Sequence, residues 1–288
     1  MQKPQLTRLI DILKYSTTLL ESKGFDESRL NVELLMADVL NCDRMKLYLD
    51  FEKPLSVPER NKFKEYLLRR LNYEPVQYIT GKTNFFGYDI IVNESVLIPR
   101  PETEILVEEV LKDIYSCDAK QISILEIGTG SGCISIALSK ETEKKNIDCI
   151  IDTMEVSIDA INLAQKNSRM NNVSSGKINF IHKDFLTIQE IGNHYDYIVS
   201  NPPYISNADY SGLEKDVKGY EPKIALTDEN DGLSFYRKIF DVTKDLNASV
   251  FLEIGYNQEE SIKAIFKNKN VLYKEDYSGI KRIMFVKK

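Results

Sequence analysis

Five short apolar runs, at 123–127, 149–154, 178–182, 195–199 and 249–254, alternate with stretches of helical spacing. Runs of that length separated by helices argue for βα units. Parallel strands need crossover connections, so the helices cover both faces of the sheet. The expected fold class is therefore α/β with a mostly parallel sheet. The rhythm changes at the end. Runs at 271–277 and 282–287 flank Ser278 and Gly279, which read as a turn, so the last strand should run antiparallel to its neighbours.

Upstream the periodicity is helical. Leu6, Leu9, Ile10, Leu13 and Leu20 recur at helical spacing, with Gly24 as a C-terminal stop. Asp26 or Ser28 can start a second helix with Leu30, Leu34, Leu35 and Val39 on one face. Ser56, Pro58 and Glu59 mark another helix start, followed by Phe63, Tyr66, Leu67, Leu68 and Leu71. Residues 83–92 read as a β-hairpin joining the two regions. The helical part carries no catalytic cluster and is expected to cap or dock.

Composition narrows the function classes. The net charge is −6, with 13 basic and 12 acidic residues over 1–80, so the excess of acid lies downstream. Binding to free nucleic acid through phosphates calls for a basic face. A protein or small-molecule substrate fits better, and no direct binding to free nucleic acid is expected. No apolar run approaches a membrane span, and the charged N-terminal stretch does not read as a signal peptide. Cysteines 42, 117, 133 and 149 form no CxxC pair, and His182 and His194 are the only histidines. Reduced thiols, a cytoplasmic location and no metal are the expectation.

Chemistry concentrates at the ends of the expected strands. LEIGTGSGC, residues 125–133, carries Gly128, Gly130 and Gly132 between a strand and a helix. Cys133 stands where a dinucleotide fingerprint needs glycine, and no GK[ST] follows. A GxGxG turn preceded by Glu126 suits a ligand with a charged amino-acid end and no pyrophosphate. S-adenosylmethionine is such a ligand, with Gly128, Thr129, Gly130, Ser131 and Gly132 around its methionine portion. Glu155, ending the second run, can accept both hydrogens of a ribose diol. Asp184, after the third, can accept from an adenine amino group, and Phe185 can cover the base. That edge is where open α/β sheets bind ligands.

The fourth run ends in Asn201, Pro202, Pro203 and Tyr204. Two prolines stop strand pairing. A planar amide or exocyclic amino nitrogen is a poor nucleophile because its lone pair is delocalised. The Asn201 side-chain oxygen and the Pro202 carbonyl can take its two hydrogens and turn that lone pair toward a methyl donor. Tyr204 can stack on the flat acceptor and favour a cationic donor. Positioning then supplies most of the catalysis. These four residues alone leave open whether the acceptor is an amide or a base.

Several segments together resemble one family. They are EPVQYITGKTNFFG (74–87), LIPRPETE (97–104), LEIGTGSGCISIAL (125–138), VSNPPYI (199–205), EPKIALTDENDGLSFYRKI (221–239), LEIGYNQ (252–258) and DYSGIKR (276–282). Over nearly its full length the sequence resembles the release factor glutamine methyltransferases, the PrmC/HemK family. The resemblance implies a class I, Rossmann-like methyltransferase domain over 96–288. It also implies a helical substrate-docking domain over 1–80 and a hairpin linker over 81–95. The implied reaction moves a methyl group from S-adenosylmethionine to the glutamine amide nitrogen in the Gly-Gly-Gln loop of class I release factors. By position, Gly128 to Gly132, Glu155, Phe185 and Asn201 contact the donor, and Asn201, Pro202, Pro203 and Tyr204 hold the glutamine. Family members usually carry aspartate at Glu126 and Glu155, and DYSGIKR is looser than their usual form. IPRPETE helps choose between this family and glutamine methyltransferases of a ribosomal protein, and the segment is expected to shape the rim of the site, with Arg100 meeting the donor pocket or the release factor. The alternatives are a glutamine methyltransferase of a ribosomal protein, or a DNA or RNA adenine amino-methyltransferase that shares the Asn-Pro-Pro-Tyr chemistry. Such an enzyme must extract its base from the stack.

Overall fold

The computed structural model of the protein describes residues 7–192 and 194–288. The chain divides into two compact units. One holds the chain up to Gly81 together with Lys215–Tyr220, and the other holds Lys82–Glu214 and Glu221–Lys288.

The first unit is helical: α1 (Leu9–Ser22), α2 (Ser28–Val39), α3 (Arg44–Leu49), α4 (Val57–Leu71) and α5 (Val76–Thr80). Leu6 lies outside the described residues. Gly24 takes φ +78° just past α1, a conformation that glycine adopts without strain. Ser56 caps α4 in a capping box: Glu59 N donates to its hydroxyl, and Ser56 N donates to Glu59 Oε2 at 2.6 Å. At α2 no side chain caps the start; Ser28 donates to Phe25 O instead. The buried face of α2 is rotated from the expected one. Val32, Leu35 and Met36 are fully buried, whereas Leu34 is 38% exposed. Those three join Leu9, Leu13, Leu20 and Phe63 in one core. Arg70 is buried, donates to Asn31 Oδ1 at 2.7 Å and pairs with Asp216. Tyr220 donates to Asn72 O at 2.8 Å. Those two bonds hold the short helix Lys215–Tyr220 in this unit.

The second unit begins with the hairpin of β1 (Lys82–Phe85) and β2 (Tyr88–Ile91), in which Phe85 faces Tyr88. Phe86 and Gly87 both have positive φ, which matches the twist of the flanking strands. There follow α6 (Pro101–Ser116), β3 (Gln121–Ile127), α7 (Cys133–Lys144), β4 (Asp148–Glu155), α8 (Ile158–Met170), β5 (Ile178–His182) and β6 (Tyr197–Ser200). The rest of this unit comprises α9 (Asn207–Tyr210), α11 (Lys223–Leu226), α12 (Ser234–Thr243), β7 (Ser249–Glu253), α13 (Glu259–Ile265), β8 (Leu272–Glu275) and β9 (Lys281–Val286), the Lys215–Tyr220 helix of the first unit being α10 in chain order.

Seven strands form one sheet in the order β5-β4-β3-β6-β7-β9-β8. The first five are parallel, and β9 runs antiparallel to both its neighbours. The α/β class, the parallel sheet and the antiparallel last strand are as the sequence led one to expect. Every residue of β6 and β7 is buried, as central parallel strands with both faces covered require. The fourth strand starts at Tyr197, not at 195. Asp196 just before it keeps main-chain bonds to both neighbours, its N donating to Ser123 O and its O accepting from Ser249 N, and its carboxylate also accepts from Ser123 N at 3.0 Å. Chain order reverses direction between β3 and β6, which opens a crevice at their carboxyl ends.

Candidate active site

The ladder brings the motifs together. Ile127 pairs with Met154 on one side and with Ser200 on the other. The residues that follow each strand, Gly128 and Asn201, therefore lie side by side, with Glu155 beyond Met154. Gly128, Gly130 and Gly132 have φ of +79°, +52° and +81°. A Cβ on Gly132 would come within 3.1 Å of Ala164 Cβ, so that glycine also lets α7 and α8 approach. Glu155 binds the turn directly: Gly130 N donates to Oε2 at 3.0 Å and Ser157 N to Oε1 at 2.9 Å.

A cavity of about 480 Å³ opens here, within the range of small-molecule sites. Gly128, Thr129, Gly130, Ser131 and Glu155 line one side. Asp184 and Phe185 line another; the Asp184 carboxylate accepts from Leu186 N at 2.9 Å, and Phe185 is buried. Asn201 and Pro203 close the third. Gly132 and Pro202 are not among the lining residues, nor is Tyr204. The Tyr204 ring packs on the core, and its hydroxyl donates to Glu253 Oε1 at 3.3 Å.

Buried polar atoms without partners sit around the glycine turn; Thr129 and Ser131 line the cavity, whereas Glu126 is not among the lining residues. Glu126 is fully buried in β3, and neither carboxylate oxygen has a hydrogen-bond partner among the described residues. Burial pushes its carboxyl up to about 8. The hydroxyls of Thr129 and Ser131 are equally buried and equally unpartnered. Buried polar groups in folded proteins are nearly always satisfied, so four such atoms around one glycine turn mark a place for a polar ligand.

The Asn-Pro-Pro-Tyr corner is held from behind. Asn201 Nδ2 donates to Thr103 Oγ1 at 3.1 Å, and Thr103 Oγ1 donates to Glu253 Oε2 at 2.6 Å. Gln258 donates to Tyr204 O at 2.9 Å and accepts from Gly255 N at 2.9 Å. Gly232, at φ +77°, approaches so closely that a Cβ there would lie 2.2 Å from Tyr204 O. Asp228 builds that turn by accepting from Asn230 N, Gly232 N and Ser234 N. Arg100, expected at the rim, pairs with the buried Glu221, which also accepts from Ile98 N at 3.2 Å.

Known proteins share this arrangement in sequence. Residues 11–81 match the PrmC N-terminal domain, and residues 101–214 match the methyltransferase small domain. The release factor glutamine methyltransferase of Fusobacterium nucleatum is 36% identical over 287 residues, covering 97% of this chain and 78% of that one. The chain belongs to the release factor glutamine methyltransferase family. The family's protein from Geobacter sulfurreducens is 35% identical, with 98% of each chain covered. Its protein from Chlorobaculum tepidum is 37% identical over 83% of this chain and 81% of that one. In this family member, the residues that sequence reasoning missed are Thr103, Glu253 and Gln258. Their segments are among those that carry the resemblance, yet no chemistry pointed to them singly. Glu253 had a usable signal: like Glu155, it is an acid on the last residue of a parallel strand.

Proposed function

We propose that the protein transfers a methyl group from S-adenosylmethionine to the side-chain amide nitrogen of the glutamine in the Gly-Gly-Gln motif of class I peptide chain release factors. The products are N5-methylglutamine and S-adenosylhomocysteine. The observation that carries this reading is the Asn201 amide. Its nitrogen end is engaged by Thr103, which leaves the oxygen end as an acceptor at the cavity wall.

The residues present fit the donor. An ammonium and a carboxylate at the amino-acid end find an unpartnered carboxylate at Glu126 and two hydroxyls at Thr129 and Ser131. Glu155 keeps lone pairs for a ribose diol beyond those used by Gly130 and Ser157, and Phe185 supplies an apolar wall for a base. Gly128, Gly130 and Gly132 give backbone access. The bound donor supplies a methyl group on a sulfonium, an electrophile that needs no metal to activate it. The protein's part is to orient. Asn201 Oδ1 and the Pro202 carbonyl accept the two amide hydrogens, so the nitrogen lone pair points along the line of attack. Pro203 walls the acceptor site, and Tyr204, tethered behind the corner, offers its ring to the glutamine amide plane in the substrate-bound state. After transfer the nitrogen carries an extra proton, which leaves to solvent without a strong base. The effective concentration gained by such positioning is the main catalytic term.

The acidic balance and the helical unit, proposed as the docking module for a protein substrate, fit a release factor better than a nucleic acid. A cytoplasmic location fits a partner of the translation machinery. Among the described residues no helix is long and apolar enough to cross a membrane. Incubation with labelled donor, release factor and DNA together tests the choice. Label in the release factor is expected; label in DNA with none in the release factor contradicts the reading.

A further inference from the structure

Glu253 lies one strand across from Asn201, because Leu252 pairs with Ser200. It is 2% exposed, and the methyl-transfer chemistry above gives it no task. Its two oxygens are divided between two hydroxyls, Thr103 on Oε2 and Tyr204 on Oε1. Thr103 is also 2% exposed and lies between Glu253 and Asn201. A hydroxyl has one hydrogen. Once Thr103 has given it to Glu253, its oxygen has only lone pairs left and must take an N–H from Asn201. The amide of Asn201 is thereby held with its nitrogen inward and its oxygen outward.

We propose that Glu253 is a positioning residue that sets, through Thr103, which end of the Asn201 amide meets the substrate. The inference rests on the proposed function, since an amide acceptor with two N–H hydrogens needs an oxygen at that point. An ionised Glu253 keeps the relay in the working direction. A proton on Oε2 reverses it: Glu253 donates to Thr103, Thr103 turns its hydrogen to Asn201, and the amide turns its nitrogen outward. A donor then faces a donor, and the substrate amide is misplaced.

Every element around Glu253 has a part in its charge. Thr103 and Glu102 face it from α6, Tyr204 from the corner, and Arg282 from β9. From α12, the Tyr236 hydroxyl donates to the Glu253 main-chain oxygen at 2.9 Å. Burial, with a smaller contribution from the Glu102 charge, pushes the carboxyl up to about 7, against the hydrogen bonds from Thr103 and Tyr204 and the charge of Arg282. The relay therefore switches direction near neutral pH.

The test is kcat against pH at saturating donor and release factor, for the wild type, Thr103→Val, Thr103→Ser and Glu253→Gln. S-adenosylhomocysteine affinity is measured by calorimetry alongside. The wild type should lose activity below pH about 7 with a single ionisation. Thr103→Val, which keeps the volume and removes the hydroxyl, should lower kcat by up to about 100-fold and lose the acid limb, with product affinity unchanged. Thr103→Ser should keep both the limb and most of kcat. Glu253→Gln should lose the limb; if it does not fold, the Thr103 pair decides alone. A Thr103→Val enzyme with wild-type kcat and an intact limb overturns the role of Glu253 while leaving the substrate reading standing. A wild-type protein inert toward release factors overturns the substrate reading itself.

Discussion

At the scale of single residues, Glu126 is the most exposed to test. A buried carboxylate with no partner prefers to be protonated, and a cationic ligand group reverses that preference. On the proposed reading, binding the donor's ammonium should therefore release a proton from Glu126 in neutral solution. Affinity for S-adenosylhomocysteine, which keeps the ammonium, should rise with pH up to about 8 and then level off. Glu126→Gln should flatten that rise and weaken binding at pH 8 by about 10- to 100-fold, the worth of a hydrogen bond to a charged group. Calorimetry between pH 6 and 9 measures both; an unchanged pH dependence in the variant contradicts the assignment. The same group affects folding. Because its folded pKa is raised, the stability it contributes to the ligand-free protein is full below its unfolded pKa near 4.5 and is lost as pH rises through about 8. The acid itself was legible in the sequence, since it precedes a glycine turn at a strand end. Its lack of partners was not, because that depends on how Ser135 spends its hydroxyl, on Gly132 O.

At the scale of elements, the site is a set of strand ends braced by turns. The strands and the glycine turn were readable because their physics is local: apolar runs, positive φ and stops. The bracing was not. Thr103 lies 150 residues from Glu253, and Tyr204 lies 54 from Gln258; only the sheet order makes them neighbours. Gly232 is the sharpest example. No local pattern in the sequence marks it, yet a Cβ there would press against the main chain of the Asn-Pro-Pro-Tyr corner. Gly232→Ala should cost about 1–3 kcal/mol through backbone strain. It should also lower kcat by at least about tenfold, because Tyr204 O must move. Gly279 has a similar φ of +76° and open space around it, so Gly279→Ala controls for strain alone. Equal activity in the two variants rules out the bracing role.

At the scale of the whole molecule, two units share one chain, and the cavity lies in the larger. The chain divides after Gly81, close to where the apolar periodicity of the sequence changes. The return of residues 215–220 to the helical unit could not be anticipated, because it rests on Arg70, Asp216, Asn72 and Tyr220 meeting across the sequence. Ligand binding should stabilise the unit that holds the site. At about 100 times Kd, S-adenosylhomocysteine adds about 2.7 kcal/mol to the unit that binds it. Hydrogen exchange of the slowest amides in β3, β4 and β6 should therefore slow about 100-fold, with α1 and α2 changed much less. Equal protection of the two units contradicts this placement of the site. On the proposed reading, a donor pocket, a polarised asparagine and a proline-stiffened corner together methylate a glutamine amide. The deciding experiment is mass spectrometry of the Gly-Gly-Gln peptide from a class I release factor, after incubation with donor and either wild type or Asn201→Ala. A gain of one CH2 in mass on the glutamine is expected with the wild type and little or none with Asn201→Ala, although that variant should still bind donor. An unmodified glutamine with the wild type, or equal methylation by the variant, would contradict that reading.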